Sequence, residues 1–240
     1  MLKTGYAQLS KLLNAIANWK HFKTSVWIAC LIPALLLIIR VVASELLPFG
    51  LPSKATLVND TIGGLGVDPL KTLLHMTGED SLAILLASLA VTPIRRIFKV
   101  NGIQKVRRLL GVTSFFYALL HVSLYLGLDQ LCYSVATCEF RSIVNDVLKR
   151  KFIMVGMVSF SILLVLAVTS TNAMIRRLKK NWQKLHRLVY IAGIAAVIHF
   201  IWIQKSDYAE PLMWAAWLAA FLLIRVYFSL QKRRATAARA

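Results

Sequence analysis

Six apolar stretches separated by polar segments constrain this chain more than any other feature. They cover roughly residues 24–43, 81–94, 109–128, 152–169, 188–203 and 211–228. Most approach the about 20 residues that a helix needs to cross hydrocarbon. The second and fifth are short for a span, which leaves room for helix beyond these limits. Hydrocarbon offers no water to backbone amides, so spanning segments are helices or closed barrels. These stretches are continuous rather than alternating, which selects helices. The expected fold class is therefore an all-α membrane protein, a six-transmembrane-helix bundle. With 58% of its 240 residues hydrophobic and 16% charged, the chain is too apolar for an ordinary soluble domain.

Charge orients the bundle. Segments 1–23, 95–108, 170–187 and 229–240 hold 20 of the 29 Lys and Arg residues and no acid. The loops at 44–80, 129–151 and 204–210 hold 7 basic residues and all ten Asp and Glu. The positive-inside bias then places both termini in the cytoplasm and these three loops outside. The expected organisation is a cytoplasmic N-terminal segment at 1–23, a six-helix transmembrane domain at 24–228 and a basic cytoplasmic tail at 229–240. The net charge of +19 is distributed between apolar blocks rather than along one polar face. Its natural partners are membrane lipids and acidic cofactors, with no nucleic acid. The first 23 residues are polar and basic, so the first apolar run reads as a signal anchor rather than a cleaved leader. Cys132 and Cys138 fall in an outer loop, where a disulfide and two free thiols carry equal weight. Cys30 lies within the first span and reads as packing.

Three histidines sit in or beside these apolar runs. An imidazole in hydrocarbon needs a partner for each nitrogen, so His121, His186 and His199 are functional candidates. The third and fifth spans run in the same direction. His121 and His199 fall at similar depth toward the outer leaflet, and His186 lies about 20 Å deeper at 1.5 Å per residue. Two imidazoles facing each other across a bundle suit a bis-histidine heme b. The plainer reading for each is a hydrogen bond between helices, or for His186 an interfacial basic residue. Thirteen residues of straight helix put His186 and His199 about 140 degrees apart, so a shared inward direction requires tilt or distortion near Gly193.

Arg107 and Arg108 fall at the depth of His186, where guanidinium suits heme propionates or a flavin phosphate, or equally lipid phosphates. Arg40 and Arg225 lie near span ends and are expected to snorkel, with Arg40 also in reach of an outer propionate. The tryptophans fit interfacial belts or packing. Residues 70–75 read as a short amphipathic helix on the outer surface. His75, in that outer loop, and His21 read first as solvated imidazoles, with His75 a weaker cofactor-binding candidate. The glycines at 63–66 lack the ending of a phosphate loop. No segment accommodates a dinucleotide-binding domain, and no internal repeat stands out. No acid lies within an apolar run, which argues against a proton or transition-metal transporter, the main competing reading.

Several motifs together carry a resemblance: GGLGVDP at 63–69, LLHMTG at 73–78, VTPIRR at 91–96, RRLLG at 107–111, Leu120-His121, TSTNAM at 169–174, and LHRLVY followed by IHF at 185–200. They are similar to the heme-binding membrane subunits of periplasmic methionine sulfoxide reductase systems, within the ferric-reductase-like transmembrane superfamily. The resemblance covers nearly the whole chain. It implies a multi-pass protein of the bacterial inner membrane that takes electrons from the quinone pool or a cytosolic flavin reductase. Their implied destination is MsrP, a periplasmic molybdopterin reductase that repairs oxidised methionines. It also implies one or two hemes b, with His121, His186 and His199 as ligands, and an association with FMN. The superfamily pattern has two histidines on each of two helices. Here the inner position of the third span is basic, so the inner site is heme with an unusual partner, FMN or a quinone pocket.

Overall fold

A computed structural model describes residues 2–46, 68–130, 140–204 and 207–237. The helices in chain order are α1 (Leu2–Asn18), α2 (Phe22–Leu46), α3 (Pro69–Phe98), α4 (Gln104–Leu124), α5 (Phe140–Lys149), α6 (Lys151–Val168), α7 (Asn172–Leu178), α8 (Lys180–Leu185), α9 (Val189–Ile203) and α10 (Ala209–Ala237). A 3-10 turn at Asn101–Ile103 leads into α4, and another at His186–Leu188 leads into α9. No strand occurs among the described residues. Among the described residues, six helical segments are long and apolar enough to cross a membrane: Phe22–Val41, Pro69–Phe98, Asn101–Gly127, Lys151–Val168, Lys180–Ile203 and Ala209–Ala237. The six-helix expectation holds. Cys132, Cys138 and most of the Gly-rich stretch at 63–69 lie outside the described residues.

The second span is the largest correction. The separate surface helix expected at 70–75 is the first part of the 30-residue α3. Its start has a local cause: Asp68 caps the helix by accepting from the Lys71 amide at 3.1 Å, and Pro69 needs no amide partner in the first turn. His75, Glu79 and Asp80 consequently lie on a membrane-length helix, and the expectation of acid-free spans fails. At its other end α3 stops at Lys99, in the left-handed region with φ 56°. Likewise α10 continues as helix through the basic segment to Ala237.

α3 is the central element. Half of its most apolar window is buried within the protein, against 6% for α2 and for α10, so those two face outward. Leu82, Leu86 and Leu89 of α3 pack with Val197 and Phe200 of α9 and Leu218 of α10. Leu85 packs with Phe115, Leu163 and Ala192, joining α3, α4, α6 and α9.

Small polar side chains fix the register between helices. Ser81 and Ser114 hydroxyls each donate to the other's carbonyl, at 3.0 and 2.9 Å, locking α3 to α4. Ser159 donates to the Ala192 carbonyl at 2.9 Å, locking α6 to α9. In α2, beside Pro33, the Tyr117 hydroxyl donates to the Cys30 carbonyl at 2.8 Å and accepts from the Ala34 amide at 2.9 Å. Tyr117 is thereby inserted where a helical backbone bond would run.

Candidate functional site

His121 on α4 and His199 on α9 face each other, with ring centroids 6.3 Å apart and planes at 85°. Each is held in the same way. His121 Nδ1 lies 2.8 Å from the Leu74 carbonyl of α3, and His199 Nδ1 lies 2.7 Å from the Phe152 carbonyl of α6. A carbonyl only accepts, so both Nδ1 atoms donate, and in the neutral ring that an apolar setting favours each Nε2 keeps its lone pair. Thr77 Oγ1 is a further neighbour of His121 Nδ1 at 3.3 Å. One helical turn beyond each carbonyl stands a glycine. A Cβ on Gly78 would fall 3.1 Å from His121 Cε1, and one on Gly156 would fall 2.8 Å from His199 Nδ1. Any side chain at either position would press on the ring.

These two cradles repeat one register. Leu74 to His121 and Phe152 to His199 each span 47 residues, and Ser81 to Ser114 and Ser159 to Ala192 each span 33. A shift of 78 residues carries Leu74, Gly78, Ser81, Ser114 and His121 onto Phe152, Gly156, Ser159, Ala192 and His199. The absence of an internal repeat is therefore corrected at the level of contacts. The same shift places Arg108 at the register of His186.

The inner candidates gather around a separate cavity of about 410 Å³, lined among others by Arg107, Arg108, Trp182, His186, Arg187 and Tyr190. His186 stacks on Trp182 at 4.0 Å between centroids, and its Nε2 lies 3.2 Å from Thr169 Oγ1. Trp182 Nε1 donates to the Thr169 carbonyl at 2.9 Å. Arg108 donates to Asn172 Oδ1 at 2.6 Å. The distortion expected near Gly193 lies instead at His186 itself, in the 3-10 turn. Three residues at about 120 rather than 100 degrees each cut the mismatch with His199 from about 140 to about 80 degrees. Gly193 is buried in regular helix against Leu218 and Leu89.

Arg40 reaches the His121 end, where Nη1 contacts Met76 Sδ at 3.0 Å beside Thr77. His75 is half-exposed rather than free in a loop. Its Nδ1 lies 3.0 Å from Glu79 Oε1, its Nε2 lies 3.2 Å from Gln204 Nε2, and its ring packs on Phe200. Arg225 does not snorkel: it turns inward, donating to the Tyr190 hydroxyl and the Leu89 carbonyl. Sequence reasoning missed Gly78, Gly156 and the two carbonyls. Their only signal was glycine within LLHMTG and within an apolar run.

The ferric reductase like transmembrane component family matches residues 77–197, from the cradle of His121 to two residues short of His199. The heme-binding subunit MsrQ of protein-methionine-sulfoxide reductase from Herminiimonas arsenicoxydans is 38% identical over 193 residues, covering 79% of this chain and 84% of that protein. The protein of the same name from Xanthomonas euvesicatoria pv. vesicatoria (strain 85-10) is 42% identical over 175 residues, covering 73% and 78%.

Proposed function

The chain belongs to the MsrQ family of ferric reductase like transmembrane proteins, and we propose that it serves as an electron-transfer subunit built around heme b. The observation that supports this reading most directly is the His121–His199 pair. Imidazole–metal bonds are about 2.0–2.1 Å, so rings on opposite sides of one ion have centroids roughly 6 Å apart. The observed 6.3 Å suits that arrangement. Heme iron, when bound, supplies a reversible one-electron change.

The protein's own contribution is orientation. The Leu74 and Phe152 carbonyls fix each ring's tautomer and angle, leaving Nε2 as the ligand atom, and a hydrogen-bonded Nδ1–H raises its basicity. Gly78 and Gly156 let each ring lie against a neighbouring backbone. Arg40, at the same end of the bundle, is suited to a propionate, and His75 is a weaker second candidate.

His186 with Arg107 and Arg108 would serve an inner redox group. The cavity volume suits a small cofactor. Its guanidinium groups suit the carboxylates of a second heme b or the phosphate of FMN; a quinone is the third occupant. The assigned donor is the quinone pool or a cytosolic flavin reductase. The assigned acceptor is the periplasmic MsrP, which repairs methionine sulfoxide in oxidised proteins. The corresponding location is the bacterial inner membrane.

The test is optical. Purified protein should show a Soret band that shifts on reduction, with pyridine hemochrome giving heme per chain. His121→Ala and His199→Ala should each remove the outer heme, whereas His186→Ala should spare it. Full heme content in the first two variants would refute the ligand assignment. Glu79 and Asp80 on α3 do supply acids of the kind a proton or transition-metal transporter uses. Colourless protein with metal-dependent flux would establish that reading instead.

A further inference from the structure

Helix α1 turns an apolar stripe away from the protein. Leu9, Leu12 and Ile16 are 45, 61 and 52% exposed, and Trp19, just past the helix, is 56% exposed. Steps of three and four residues put them on one side of the helical path. A neighbouring side is docked. The Tyr6 hydroxyl donates to the Ile97 carbonyl, and Ser10 Oγ donates to the Phe98 carbonyl at 2.7 Å. Ala17 is buried against Gly102, where a Cβ would fall 2.7 Å from the Ala17 carbonyl oxygen. α1 is thus fastened to the end of α3 and to the turn that follows it, while its apolar face is left uncovered among the described residues.

Charge indicates what covers that face. Residues 1–43 contain no acid. Lys11, Lys20 and Lys23 are exposed around the stripe. The adjoining segments 95–108 and 170–187 are also basic and acid-free. We propose that α1 lies in the plane of the membrane at the end that carries both termini. Leu9, Leu12, Ile16 and Trp19 enter the acyl chains, and Lys11, Lys20 and Lys23 contact anionic phospholipid headgroups. A lipid surface fits both the apolar stripe and the cationic border, and it lies beside the ends of the spans in any case. The placement has a structural consequence. The turn held by α1 opens α4, so the lipid seat of α1 steadies the segment that carries Arg107 and Arg108.

The experiment uses the full chain in nanodiscs, with a nitroxide on Leu12→Cys in a background carrying Cys30→Ser, Cys132→Ser and Cys138→Ser. Oxygen should relax the label more than a water-soluble nickel chelate does. Dominance of the chelate would overturn the proposal, as would spin–spin broadening from a second copy. A second measurement needs no cysteine change: Trp19 emission, taken as wild type minus Trp19→Phe. Brominated phosphatidylglycerol should quench it more than the same mole fraction of brominated phosphatidylcholine. The difference should vanish when Lys11, Lys20 and Lys23 are all replaced by Gln. Equal quenching by both lipids in the wild type would overturn the headgroup assignment.

Discussion

Gly156 leaves less room for its neighbour than Gly78 does, and the two substitutions to alanine should therefore differ. A methyl at 156 would sit 2.8 Å from a ring nitrogen, whereas one at 78 would sit 3.1 Å from a ring carbon. The first contact is too short to exist, so His199 must turn or withdraw from the Phe152 carbonyl. The second calls for a few tenths of an ångström. Gly156→Ala should lose most of the low-spin heme spectrum in purified protein, while Gly78→Ala should keep it. Equal spectra in both variants would contradict the cradle geometry. The histidines were legible in sequence because a polar ring in an apolar run demands a partner. The partners were not, because backbone carbonyls have no letter and a glycine among apolar residues reads as simple tolerance. The alternative in which His121 and His199 merely hydrogen-bond across helices is half-realised. Their Nδ1 atoms do so, toward backbone rather than toward each other.

At the level of elements, α2 depends on a side chain that belongs to α4. Tyr117→Phe removes the bridge between the Ala34 amide and the Cys30 carbonyl, and groups left unsatisfied away from water cost about 1–3 kcal/mol. The expected result is a lower unfolding midpoint in detergent. Phe116→Leu, a change at a 58% exposed neighbour, should leave the midpoint unchanged. The boundaries of α3 show where hydropathy loses its grip. Residues 69–80 mix His, Thr, Glu and Asp with Leu, which lowers the apolar average. Yet Asp68-Pro69 is a legible start signal, and read as one it would have extended the helix. The paired register was hidden for another reason. The two hairpins share only scattered letters: Gly78, Ser81 and His121 recur as Gly156, Ser159 and His199, but Leu74 corresponds to Phe152, Ser114 to Ala192 and Arg108 to His186, so the recurrence is too sparse to stand out in the sequence.

Across the whole molecule, α10 is attached by Leu218 and the partly buried groups around it, with only 6% of its most apolar window buried. Arg225 is conspicuous beside them, because it ties α10 to α3 through the Leu89 carbonyl and to α9 through Tyr190, whose ring lies 5.1 Å from the guanidinium carbon. Hydrogen bonds from a charged donor contribute about 1.5–3 kcal/mol each. Burying the guanidinium offsets part of that. Arg225→Ala should still be destabilising, with faster amide exchange in α10 than in α3. Unchanged exchange would show that apolar packing alone seats the helix. The number and class of spans followed from length and hydropathy. The inward turn of Arg225 did not, since position near a span end fits a cation reaching outward equally well. The two facing imidazoles, finally, are mounted on different helix pairs, one on α3 with α4 and the other on α6 with α9. Sliding one pair past the other by a single residue, about 1.5 Å, would stretch or shear whatever bridges them. A chromophore bound there would double as a strain gauge, its colour reporting how firmly the two halves of the bundle are clasped.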